Sequence, residues 1–215
     1  VPMILAPDRS KLSKRHGATS VEEFREAGFL PEAILNYLAL LGWSPEEGRE
    51  ILSVTEIVER FDLRRVAKTA AIYDVNKLAW INGHYLRAHD VDGLIRLLIP
   101  FWREAGYLEA DPGPEDMGRL RRIVLAVRER ARTLRDLAEF TSYFFVDPSG
   151  YDPKGVAKHF EPEGTEGLLR LARERLASLP VFSEATTEEA FRAIVEELEI
   201  TGGRLFHPTR LAVTG

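Results

Sequence analysis

The chain contains no cysteine. Disulfides, cysteine-ligated zinc and thiol nucleophiles are therefore excluded, and any chemistry must use other side chains. Long apolar runs are missing too. No stretch approaches the roughly 20 residues a helix needs to span a bilayer, and no secretory leader is visible. We therefore expect a cytoplasmic protein with no membrane partner. Lysine is scarce, with 6 Lys against 23 Arg. An overall basic charge is also lacking. The 215 residues carry a net charge of -5, which excludes a uniformly basic coat for nucleic acid but leaves local patches open. What is present is a chain 45% hydrophobic and 29% charged, as expected for a folded protein with a real core. It begins at Val1, and "VPMILAP" reads as a strand running into a loop. We expect a piece cut from a longer polypeptide.

Punctuation for helices is plentiful. Ser20 with Glu23 and Ser53 with Glu56 are capping boxes, and Ser44-Pro45 with Glu47 suggests another start. Pro31 opens a helix whose apolar positions Ile34, Leu35, Leu38 and Leu41 recur at helical spacing, between stops at Gly28 and Gly42. Asp74 caps a helix expected to end at Asn82-Gly83, and a long helix follows Val91. The turn "ADPGPED" (Ala110 to Asp116) suggests a subdomain border. Helices are expected over 119–137, 154–159, 165–179 and 187–198. Ile200 to Arg204 is expected to be a turn, with a last helix from Pro208 capped by His207. Beyond the first residues no alternating strand pattern is seen, so the class is mainly α. Trp43, Trp80 and Trp102 sit among apolar neighbours and read as core. His84 and His89 lack the cysteines or nearby carboxylates of a metal site, and none is expected.

The charge is uneven. Seven arginines fall between Arg119 and Arg135 against one acid, Glu129. On one helix, Arg121, Arg128, Arg132 and Arg135 would form a stripe beside the apolar face. Such a stripe has two readings, a surface for phosphates or base edges and a solvated face. Arg64, Arg65 and Lys68, with Asp62 as cap, form a smaller basic group open to the same two readings. Glu184 to Glu199 is strongly acidic and is expected to face solvent or protein. The opening loop "DRSKLSKRHG" (Asp8 to Gly17) concentrates Lys11, Lys14 and Arg15 around Ser13. Two ammonium groups three residues apart suit a polyphosphate; alone, the same ten residues also suit a solvated basic loop.

Context adds to this. "KLSKRHGATSVEEFREAGFLPEAILNYLALLGWS" (Lys11 to Ser44) resembles the signature-loop region of bacterial glutamyl-tRNA synthetases, which are class I aminoacyl-tRNA synthetases. "FDLRRVAKTAAIYDVNKLAWINGHYLR" (Phe61 to Arg87) resembles that family's stem-contact segment. "GGRLFHPTRLAVTG" resembles the late part of its anticodon-binding domain, with Thr209 where Leu is expected. The resemblance implies a signature-loop and stem-contact region over 1–88, followed by an all-helical anticodon-binding domain over 89–215 that stops short of the family's end.

It also implies a glutamate–tRNA ligase that uses ATP with Mg2+ and L-glutamate, through glutamyl-adenylate. The tRNA partner would be tRNA(Glu), with tRNA(Gln) left open, and the protein would act as a monomer. Lys11, Ser13 and Lys14 would be catalytic, with Lys11, Lys14 and Arg15 on the ATP phosphates. Leu12 would pack the loop down. Arg64, Arg65, Lys68, Arg121, Arg128, Arg132 and Arg135 would bind tRNA, with Arg128 and Arg132 favoured as readers of the anticodon. The family's upstream His-Ile-Gly-His-like motif does not occur in these residues, so this polypeptide alone is expected to be inactive. Two other readings stand beside it. One is a non-catalytic helical module that binds RNA or protein. The other is a truncated paralogue that glutamylates a modified tRNA base; the helical stretch after Arg87 argues against it.

Overall fold

A computed structural model describes residues 2–13, 20–45 and 48–215. Among them are eleven α-helices and two short strands, so the chain is mainly α. It divides into two compact units, Val1–Ser142 and Tyr143–Gly215.

In the first unit, β1 (Ile4–Leu5) pairs in parallel with β2 (Ala71–Ile72), aligning Ile4 with Ala71 and Leu5 with Ile72. Two residues give too short a run for alternation to show, so β2 was not legible in the sequence. The helices α1 (Val21–Glu26), α2 (Pro31–Leu40), α3 (Val54–Arg60) and α4 (Val75–Ala88) follow the expected caps. Ser20 and Ser53 close capping boxes with Glu23 and Glu56, and the Asp74 carboxylate accepts the N–H groups of Asn76 and Lys77. The Ser44-Pro45-Glu47 start involves Glu47, which lies outside the described residues.

Several expectations are corrected. On α2 the buried face is Ala33, Asn36 and Tyr37, while Leu35 and Leu38 are exposed. Polar anchoring decides the rotation of that helix. Asn36 accepts the Leu52 N–H at 3.1 Å, and the Tyr37 hydroxyl accepts the Asp74 N–H at 2.7 Å. Burial pushes the Tyr37 phenol up to about 12, so it stays neutral in this role. The helix begun at Asp74 does not stop at Gly83 but runs to Ala88. Gly83 is there because a Cβ would lie 3.2 Å from the Ala131 carbonyl oxygen. Trp43 and Trp102 are core, but Trp80 is half exposed on the outer side of α4.

The largest correction concerns 119–137, which is not one helix. α5 (Val91–Glu104) buries Leu94, Ile95, Leu98 and Trp102 and packs on α6 (Pro114–Val127) and α7 (Leu134–Phe140). Between α6 and α7 the chain tightens into a 3-10 turn, Arg128–Arg130, and then extends. Thr133 restarts the helix with a capping box to Asp136, at 3.0 Å in both directions. The signal was present as Thr-x-x-Asp before an apolar run; continuous charge obscured it.

The second unit holds α8 (Pro153–His159), α9 (Thr165–Ala177), α10 (Glu184–Glu197) and α11 (Gly202–Thr214). Leu168, Ala172, Phe191, Ile194 and Leu205 form its core. α10 begins at Glu184 behind the Ser183 cap, ahead of the expected start at Thr187. The expected turn at 200–204 is instead the start of α11, so His207 lies inside a helix rather than capping one. Two glycines and an internal Pro208 hid this helix. It tolerates them because Leu205 is fully buried and Phe206 stacks on Phe191 at 5.5 Å.

Candidate phosphate loop and RNA-facing arginines

The described residues among those expected to act lie in the first unit and fall in three places. The first is the loop after β1. Asp8 accepts from the Ser10 N–H at 2.9 Å and from its hydroxyl at 2.7 Å. Arg9 takes a left-handed backbone, φ 65°, and the Ala6 N–H donates to the Ser10 carbonyl at 2.8 Å. The chain thereby folds back, and Lys11 pairs antiparallel with Leu5. β1 is thus lined on both edges, by β2 through the Met3 and Leu5 carbonyls and by the loop through Ile4 and Ala6. Lys11 and Ser13 are exposed and Leu12 is partly buried between them, so the loop presents its cation and hydroxyl to solvent from a fixed register. Lys14, Arg15, His16 and Gly17 lie outside the described residues.

The second place is the 3-10 turn Leu63–Arg65. Asp62 caps it through the Arg64 N–H at 2.9 Å and grips the Arg64 guanidinium at 2.7 to 3.0 Å. That guanidinium holds the Asp62 carboxyl below its usual range. Arg65 donates to the Ser44 carbonyl at 3.0 Å, and Lys68 is exposed two residues past Val66, which bridges to Trp43.

The third place is the break between α6 and α7, where the expected arginine stripe separates. Arg121 faces α5 and pairs with Asp92 at 2.6 and 2.7 Å. Arg128 is partly buried, 3.6 Å from Glu129. Arg135 donates to the Glu26 carbonyl at 3.0 and 3.2 Å, pairs with Glu104 at 3.2 Å and lies over Phe101. It thereby satisfies a carbonyl at the end of α1. Arg132 is exposed, with its backbone N–H on Asp136 and its carbonyl on Asn82.

Asn82 is the residue that sequence reasoning missed. It is fully buried on the stripe Leu78, Ile81 and Leu86. A lone amide at a core position of a helix is the available signal, since a buried amide is retained only where it is hydrogen-bonded. Its Oδ1 accepts the Leu30 N–H at the start of α2, and its Nδ2 donates to the Arg132 carbonyl. Beside it, the Leu134 N–H donates to the Gly28 carbonyl at 2.9 Å. The turn between α1 and α2, the middle of α4 and the arginine-bearing break therefore meet at one point. Among the described residues no group of three or more His, Asp or Glu side chains is placed to hold a metal ion. No helix among them is long and apolar enough to cross a membrane.

Two family models match the chain. Residues 1–80 match the family model for the catalytic domain of class I tRNA synthetases (E and Q), and residues 93–215 match that for an anticodon binding domain. The whole chain is 57% identical to a glutamate–tRNA ligase of Moorella thermoacetica, covering 44% of that protein. It is 53% identical to the glutamate–tRNA ligase of Desulforudis audaxviator, covering 43% of it. A crystal structure of a glutamate tRNA ligase from Elizabethkingia meningosepticum, in complex with its amino acid, superposes with a TM-score of 0.80 at 28% identity. That match covers 98% of this chain and 44% of the other. The chain thus spans less than half the length of the relatives it matches.

Proposed function

We propose, on the premise that the chain belongs to the anticodon binding domain family that its residues 93–215 match, that it supplies the ATP-phosphate loop and the tRNA-binding part of an ATP-dependent glutamate–tRNA ligase. Residues 1–88 would be the signature loop and stem-contact region, and 89–215 the anticodon-binding part. The whole enzyme would join L-glutamate to tRNA(Glu) through glutamyl-adenylate, in the cytoplasm and as a monomer.

Each residue takes the role that the family resemblance implies and its chemistry suits. Lys11 and Lys14 place positive charge on the ATP phosphates as pyrophosphate leaves, which lowers the barrier by electrostatics and positioning. Arg15 adds a planar donor set, and Ser13 holds the loop's shape between the lysines. Arg64, Arg65 and Lys68 meet the phosphate backbone. Arg128 and Arg132 are the readers, since a guanidinium offers paired donors to a base edge or stacks on an unstacked base. Arg121 and Arg135 are already ion-paired, so their part is to hold the segment in place while sharing charge with the backbone.

The observation that carries this reading is the pair of family matches, the class I tRNA synthetase (E and Q) catalytic domain over 1–80 and the anticodon binding domain over 93–215. The buried Asn82 amide joins the two stretches through the start of α2 and the Arg132 carbonyl. The segment that would read RNA and the segment that follows the phosphate loop share one core. The test is direct binding of tRNA(Glu) and of a tRNA for another amino acid to the chain, beside ATP–pyrophosphate exchange. Preferential binding of tRNA(Glu) without exchange activity is expected. Equal binding of both tRNAs would contradict the anticodon role, and full exchange activity would contradict the assignment of the rest of the catalytic site to other residues.

A further inference from the structure

In the second unit a cleft of about 310 Å³ opens between the end of α8 and the start of α11. Its polar lining is Lys158, His159, Thr165, Thr201, Arg204 and His207, and no carboxylate is among its lining residues. That composition is unusual in a chain with 34 acids and 29 Lys and Arg. The two imidazoles stack, with ring centroids 5.2 Å apart and planes at 37°. The Arg204 guanidinium donates to the Glu163 carbonyl at 2.6 Å, a neutral partner. The α11 start has no side-chain cap, and its Gly203 lines the same cleft.

We infer that this cleft is a phosphate-binding site, taking a phosphate group on Lys158 and Arg204 with His159 and His207 closing over it. Lys158 and Arg204 bring two positive charges to one opening beside two imidazoles, and an anion between them would offset their mutual repulsion. Desolvation, then Lys158, then His207 hold the His159 imidazole below its ordinary value, the direction an anion would reverse. The titratable or charged groups facing His159 are Lys158 on its own helix and His207 and Arg204 on α11. On the intervening turn Glu161 and Glu163 are exposed and do not line the cleft. The volume accommodates a phosphate group together with several waters of about 30 Å³ each. Inorganic phosphate and an RNA backbone phosphodiester present the same chemistry. The inference does not rest on the ligase reading, because neither tRNA nor glutamate is needed to observe it.

The test follows the ring protons of His159 and His207 by NMR through a pH titration of the 215-residue chain. The additions are inorganic phosphate, a short oligoribonucleotide without a terminal phosphate, or chloride at matched ionic strength. Both midpoints should rise with a phosphate-bearing ligand and not with chloride. Lys158→Gln, an exposed position, should weaken that ligand about tenfold, the scale of one charge-assisted hydrogen bond. Arg204→Gln should do the same, and the rest of the spectrum reports whether the fold is retained. A rise with inorganic phosphate supports the site for the free ion. A rise with the oligoribonucleotide alone supports it for a backbone phosphodiester. No rise with either, or a rise unchanged in Lys158→Gln, overturns the inference.

Discussion

The side-chain amide of Asn82 joins the Arg132 carbonyl, at 2.5 Å, to the Leu30 N–H, at 2.7 Å, and all of this amide is buried. Two segments 50 residues and 52 residues away in sequence thus depend on one side chain. Removing it leaves a buried donor and a buried acceptor without partners, a cost of about 3 kcal/mol in total. Asn82→Leu keeps the volume and loses both bonds. Urea denaturation should show that loss, and tRNA affinity should fall as the Arg132 segment loosens. A variant as stable as the parent would mean that the clamp carries no weight.

The neighbouring contact gives a second expectation. Gly28 has φ +83°, and a Cβ there would lie 2.7 Å from the Arg135 backbone nitrogen. Gly106 has a similar φ, +76°, with nothing within 4 Å. Gly106→Ala should cost only the left-handed backbone penalty, about 1–2 kcal/mol. Gly28→Ala should cost more, because backbone atoms must also move. Thermal unfolding of the two variants compares them directly, and equal losses would contradict the close approach of α7 to the turn after α1.

Acid should unlock α3 through Glu56. Bonds from the Ser53 backbone and hydroxyl, with Arg49 beside them, hold its carboxyl down at about 2 from an ordinary 4.5. A depressed folded value means stabilisation present above the ordinary value and lost as pH falls through the folded one. The stability gap between the parent and Glu56→Gln should therefore be full at neutral pH and close between about 4.5 and 2. Denaturation across that pH series is the measurement. A gap that does not change with pH would show that the charge of Glu56 contributes nothing.

Local signals were legible where they were chemical rather than periodic. Ser20, Ser53, Asp74, Gly28 and Gly42 each mark a boundary that the structure keeps, because a cap or a positive φ is decided within a few residues. Rotation about a helix axis was not legible. Leu35 and Leu38 read as core, yet the partners of Asn36 and Tyr37 turn that side outward. The arginine stripe failed for a related reason. Its charges were correctly noticed, but Thr133 breaks the helix, and Arg121 and Arg135 are drawn to Asp92 and Glu104 on other turns. Partners distant in sequence decide such matters. The family resemblance rested on contiguous motifs and could be seen without them.

The most direct test of the account is the binding of Arg132→Ala to tRNA(Glu) and to the same tRNA with altered anticodon bases. Arg132 is exposed, with its backbone fixed from both sides, so the fold should survive the change. The expected result is a loss of about 1–3 kcal/mol on tRNA(Glu) and little further loss on the altered tRNA, since a base contact disappears from the first only. Equal losses on both tRNAs, or none on either, would contradict the claim that this segment reads the anticodon.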